Sequence, residues 1–286
     1  MKKIVFLIYT LLLIRSVSFS QVTGIVSPAK GQKFVVENSI STVSTTEMAG
    51  QPMESKANIS STYQIEVKDI IADKFNLVNT VTHLKLSANA MGQDINFDSD
   101  KKEDMEGDIG KNFKDFINKP KEIVMDRSGN IIVPNKADTG KENNSSNPAD
   151  MIIGGLAGDP EQQGFGAKMA FETIPKNAKA GTTWRDSSSS NGITKVTNYT
   201  LKTLNGNEAA ISLSGTIDSE IKTEMQGMEI QTKTKGTFTG EETVDTKTGV
   251  VKQNTTTTDA KGTLIAMGQE IPTTSKITSQ TTVRSL

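Results

Sequence analysis

Most of this chain alternates apolar and polar side chains with a period of two, the mark of strands with one face sheltered. Residues 33–48 (KFVVENSISTVSTTEM) are rich in Val, Ile, Thr and Ser and lack Pro and Gly. A turn at 49–52 leads into a return run at 53–68, whose second part alternates cleanly. Ala72-Asp73-Lys74 turns the chain again. In the third run, 75–91, Phe75, Leu77 and Val81 share one parity, whereas Val78, Leu84 and Leu86 share the other. That change of parity predicts a β-bulge or sharp bend near His83. Residues 93–97 open a fourth strand. The second half reads as strands at 184–190, 193–204, 209–225, 230–244, 250–267 and 271–283. Asn205-Gly206 is a strong hairpin signal, because Asn and Gly accept positive φ.

Four of the turns are alike: Met48-Ala49-Gly50, Met91-Gly92, Met225-Gln226-Gly227 and Met267-Gly268. Gly50 to Gly92 is 42 residues and Gly227 to Gly268 is 41, so one β unit is carried twice. Runs of about 16 residues would reach roughly 50 Å if straight, and must curl or be broken by bulges. The fold expected is mainly β: a long-stranded, curved antiparallel sheet or barrel built from two related halves. Two or three short helices are inserted between the halves.

One stretch has helical period. Ile109, Phe113, Phe116 and Ile117 fall on one face and Pro120 ends the pattern, predicting a helix at about 108–118. The charge run before it, 98–106 (DSDKKEDME), reads as a solvated connector. Asp98, Asp100 and Glu103 match a fragment of a calcium loop, without its central Gly and terminal Glu. Asp126-Arg127-Ser128-Gly129 is a hairpin turn between 121–125 and 130–133. Residues 135–147 lack apolar side chains and read as a mobile loop. A helical lid at 148–156 and a weak helix at 161–172 follow. The domain plan is therefore 1–20 signal peptide, 21–32 lead-in, 33–134 first β half, 135–181 loop and short helices, and 182–286 second β half.

Composition narrows the function. Lys2 and Lys3, the apolar run 4–14, and Ser18 and Ser20 before Gln21 form a signal peptide, too short to span a bilayer. Export to the periplasm or the cell exterior is expected, with no transmembrane segment after cleavage. The chain has no Cys, which excludes disulfides, thiolate metal sites and a Cys nucleophile. Cleavage removes three of the 32 basic residues and leaves 29 against 33 acidic, a charge of −4. A mildly acidic chain has no footprint for nucleic acid.

Catalytic signals are sparse. His83 is the only histidine, so with no second His and no Cys a His-based zinc site or a metal-binding cluster lacks ligands. It lies mid-strand, and no Gly-x-Ser-x-Gly elbow is present to use it. Ser219-x-x-Lys222 falls in a strand, where its two side chains point to opposite faces. Neither a cofactor nor a metal is implied, and the chain reads as a non-enzyme. Trp184 reads as a core anchor at the junction of the halves. The methionines of the four turns could form a soft apolar rim, since flexible Met suits greasy or variable ligands. The candidate ligand-binding residues are accordingly Met48, Met91, Phe113, Phe116, Met225 and Met267.

Several motifs together resemble an uncharacterised family of secreted bacterial proteins with a domain of unknown function. They are Gly31-x-Lys33-Phe34, the Met-Gly hairpins, Asp126-x-x-Gly129, Pro175 followed by Gly181-x-x-Trp184, and Asp245-x-x-x-Gly249. The resemblance covers most of the mature chain and carries no catalytic residues. At the level of fold it is similar to bacterial lipoprotein carriers, in which a curved sheet and helices enclose an apolar cavity. The expectation is an exported binding or carrier protein for an apolar or lipid-like ligand. The alternative is a structural or envelope-interaction protein acting through its outer β surface.

Overall fold

The structure is a computed structural model and describes residues 24–48, 50–90, 93–132, 164–190, 192–225, 228–266 and 268–286. The expected signal peptide, mobile loop and 148–156 lid lie outside them, as do Met91 and Met267. The first half supplies β1 (Lys33–Met48), β2 (Gln51–Ile71), β3 (Lys74–Ala90), β4 (Gln93–Asp98), β5 (Lys121–Asp126) and β6 (Ile131–Ile132). The second supplies β7 (Thr183–Ser190), β8 (Ile193–Asn205), β9 (Glu208–Met225), β10 (Met228–Asp245), β11 (Val251–Ala266) and β12 (Gln269–Ser285).

All twelve strands join one antiparallel sheet in the order β6-β5-β3-β2-β1-β12-β11-β10-β9-β8-β7, with β4 paired to the upper part of β3. The two halves meet where β1 pairs with β12, from Phe34 opposite Ser285 to Thr46 opposite Thr273. Among the described residues β6 and β7 are free edges, so the sheet is open and the barrel alternative is set aside. Each Met-Gly turn joins a rising strand to a falling one. A repeat of about 42 residues is one round trip, and it returns the chain to the same end of the sheet. At two of these turns Gly50 and Gly268 take φ of 77° and 76°, a region that favours glycine.

One face of the sheet carries the core. Tyr63, Ile65 and Val67 of β2 and Phe75 and Leu77 of β3 alternate with polar residues and are buried, and Phe34 and Val36 of β1 join them on that face. On β3 the buried positions are odd as far as Val81 and even from Leu84 onward. The register slips between Thr62 and Tyr63, which face His83 and Val81 and leave Thr82 unpaired. The bulge expected near His83 is present there.

Among the described residues three short helices cap the core face: α1 (Lys102–Glu106), α2 (Asp108–Phe113) and α3 (Phe165–Ala170). Of the helix expected at 108–118 only Asp108–Phe113 is helical, as α2, and turns follow it; α1 precedes it, and the two share Gly107 as C-cap and N-cap. The charge run expected to be a connector folds as α1, because Glu103 and Asp104 sit favourably in its first turn. After Phe113 the chain leaves the helix and docks on β3, with Asn118 N–H donating to Val81 O. Residues 24–32 are firmly held. Val26 is fully buried, its N–H donates to Arg127 O, and Ser27 N–H donates to Thr248 O. This segment ties the β5–β6 turn to the β10–β11 turn across the lower end of the sheet.

Candidate functional site

The upper part of the other face holds a groove of about 890 Å³. Its lining follows from strand register. Val43, Lys276, Asp259, Thr237 and Thr216 stand directly opposite one another across β1, β12, β11, β10 and β9. Two residues higher or lower on each strand, Thr45, Thr274, Lys261, Lys235 and Asp218 form the adjacent row. All ten line the groove. Between the rows, Ser275, Ala260, Gly236 and Ile217 have the opposite parity and point to the core face, so the floor is backbone. Five strands at about 4.8 Å spacing give the groove a span of about 19 Å.

The groove is amphipathic. Val43 and four threonines supply methyl groups, and three lysines and two aspartates supply charge. Lys235 Nζ lies 2.9 Å from Asp218. Lys261 stands directly opposite Lys235, a like-charge pair, and neither Lys261 nor Lys276 forms an ion pair among the described residues. The net charge of the lining is +1.

The residues singled out in the sequence lie elsewhere. Met48 ends β1 and Met225 ends β9, at the end of the sheet where β3 and β11 also end, at Ala90 and Ala266. Phe113 is 1% exposed and packs on Phe97 with ring centroids 4.9 Å apart; Phe116 packs at the edge of the same core. The space between α2 and the sheet is thus filled by side chains, and the groove lies on the opposite face. Trp184 stacks on Tyr199, with centroids 5.0 Å apart and planes 3° from parallel. His83 is turned by the bulge to the groove-bearing face.

A second cluster, not singled out in the sequence, occupies the core face of β7–β11. Glu242 of β10 is 5% exposed; Asn254 Nδ2 donates to its Oε2 at 3.0 Å, and Oε1 has no hydrogen-bond partner among the described residues. Glu172, just after α3, is half-buried and faces the Tyr199 hydroxyl, which donates to it at 3.5 Å. Lys195 is exposed but holds its amine 4.8 Å above the Phe238 ring. Burial raises Glu242 to about 8, with the Glu172 carboxylate adding to the effect, and raises Glu172 to about 7, with the Asp186 carboxylate adding to it. The crowding of surrounding protein lowers Lys195, against the pull of Glu242, Glu172 and Asp186. The sequence held one signal for this cluster: Glu242 shares the parity of Phe238 and Val244, and Lys195 that of Tyr199 and Leu201.

Comparison with known proteins adds the following. A family model described as a family of unknown function, DUF6263, matches residues 72–251. No curated protein matches. A solved structure described by lipid–protein interactions in lipovitellin is similar, with 12% identity and a TM-score of 0.46 over 90% of this chain. The chain spans 25% of that lipovitellin chain. An outer membrane channel from Pseudomonas putida F1 aligns over 90% of this chain and 97% of its own, with 9% identity and a TM-score of 0.21. An outer membrane lipoprotein-sorting protein domain from Vibrio parahaemolyticus aligns over 89% of this chain and 85% of its own, with 8% identity and a TM-score of 0.14. Among the described residues no helix is long and apolar enough to cross a membrane.

Proposed function

We propose that this chain, which belongs to the family of unknown function DUF6263, is an exported, non-enzymatic binding or carrier protein for an amphipathic ligand with an anionic head group. The groove carries this reading. Its volume lies within the range of small-molecule sites, about 300–1,000 Å³. Its threonine methyls and Val43 suit an apolar body, and the lysines without acidic partners suit a carboxylate or phosphate head. A backbone floor imposes little side-chain specificity, which fits a class of ligands better than one compound. The segment 1–20, with its basic start and apolar run, supports export.

Native mass spectrometry of the protein purified from its own host tests this. The expected spectrum shows one anionic, extractable adduct per chain, diminished in Lys261→Glu. A bare chain alone would sink the reading. A bare chain co-purifying with a stable protein partner would favour the envelope-interaction alternative.

A further inference from the structure

The β3 bulge has a second consequence. Without the extra residue Thr82, His83 would keep the parity of Val81 and point into the core. The bulge turns it to the opposite face, where Lys85 pairs directly with Asp98 of β4. Asp98 Oδ1 then lies 3.2 Å from His83 Nε2, and Asp100 Oδ2, from the turn after β4, lies 3.7 Å from the same nitrogen. One ligand atom from each of the three residues falls within 4.8 Å of the others. We propose that His83, Asp98 and Asp100 form a binding site for a borderline divalent cation of the zinc class.

The geometry suits it. Tetrahedral bonds of about 2.0–2.2 Å to nitrogen and oxygen separate neighbouring ligand atoms by about 3.4 Å, and the observed 3.2 and 3.7 Å bracket that value. A simple His–Asp hydrogen bond needs one carboxylate. Here two converge on one ring nitrogen, which has a single proton to offer, and a shared cation satisfies both. One imidazole with two carboxylates selects zinc-like ions over calcium, which takes oxygen ligands.

The ligands are held from behind. Asp98 N–H donates to Asp104 Oδ2 at 2.8 Å, and Asp100 N–H donates to Asp98 Oδ1 at 3.1 Å. Leu84 N–H donates to Ser99 Oγ at 2.9 Å, and Ser99 N–H returns a bond to Leu84 O at 2.9 Å. These bonds lock the β4–α1 turn onto the bulged strand. Lys85 Nζ lies 3.5 Å from Asp98 Oδ2, the oxygen turned away from His83. The Asp100 side chain is 74% exposed and that of Asp98 16%, so the site is backed on one side and open to water ligands on the other. Binding replaces the Nε2 proton with the metal, and so releases a proton whenever that nitrogen is protonated.

The test titrates untagged, chelator-treated full chain with ZnCl2, beside CaCl2, by calorimetry and by proton NMR. His83 is the only histidine, so its ring signals are unambiguous. The expected result is one zinc per chain with a shift of the His83 ring signals. Affinity should fall at least tenfold in His83→Ala and Asp100→Asn, and about tenfold in Asp104→Asn. Asp100→Asn sits on an exposed turn and keeps the assay interpretable should His83→Ala misfold. Calcium bound in preference to zinc, unmoved ring signals, or zinc affinity unchanged in Asp100→Asn would overturn the proposal.

Discussion

Glu242 makes the fold sensitive to pH. Its carboxyl is buried on the core face with one oxygen unpartnered among the described residues, and burial lifts its pKa above the unfolded value of 4.5 to about 8. Glu172 moves in the same direction. A raised carboxylate binds more protons folded than unfolded, so the contribution of Glu242 to stability is fully present below about pH 4.5 and is lost as pH rises toward 8. The lowered Lys195 works the other way, because the unfolded lysine holds its proton to higher pH than the folded one. Glu242→Gln should therefore gain on the wild type between pH 5 and 8, by on the order of 1–3 kcal/mol in urea unfolding. Parallel stability curves for the two proteins would contradict this. At this scale the sequence was only partly legible. Parity marks Glu242 as core-facing, yet nothing local shows that Glu172, from a distant segment, arrives beside it.

The bulge and the helices belong to the scale of elements. The bulge was legible because a change of parity within one strand has few other causes: Leu84 and Leu86 can be buried with Leu77 and Val81 only if one residue is passed over. Deleting Thr82 should restore uninterrupted pairing and drive His83 and Lys85 toward the core, with loss of cooperative unfolding seen by calorimetry; a variant as stable as wild type would count against that assignment. The helices were read less well. Period 3.6 placed apolar side chains correctly at Phe113 and Ile117, which are both buried, but periodicity does not register that the helix stops at Phe113 and that Ile117 reaches the core as a bridge beside Val81. α3 docks through Gly166, where an added Cβ would meet Asn79 Oδ1 at 2.7 Å and the Tyr63 ring at 2.8 Å. Gly166→Ala should cost about 1–3 kcal/mol by overpacking, read as a lowered unfolding midpoint. An unchanged midpoint would mean that α3 can lift away without penalty.

Over the whole molecule, the long strands and the duplicated hairpin fix an antiparallel sheet whose Met-Gly turns share one end. They do not fix whether it closes. Closure depends on the edge strands, and here these are the two-residue β6 and the eight-residue β7, with Ser187 to Ser190 along it. The groove was not legible either. Its rows join residues far apart in sequence, such as Val43 and Thr216, and they come together only through the pairing of β1 with β12. Its central position is Thr237, exposed on β10 and in register with both Asp259 and Thr216. A tryptophan there should fill the groove from its floor while leaving the core face untouched. The most direct test is calorimetric titration of the untagged full chain with oleate, an anionic amphipath, beside Thr237→Trp with its fold checked by circular dichroism. One oleate should bind per wild-type chain, with affinity reduced at least tenfold in the variant. No saturable binding by the wild type, or equal binding by a folded Thr237→Trp, would contradict it.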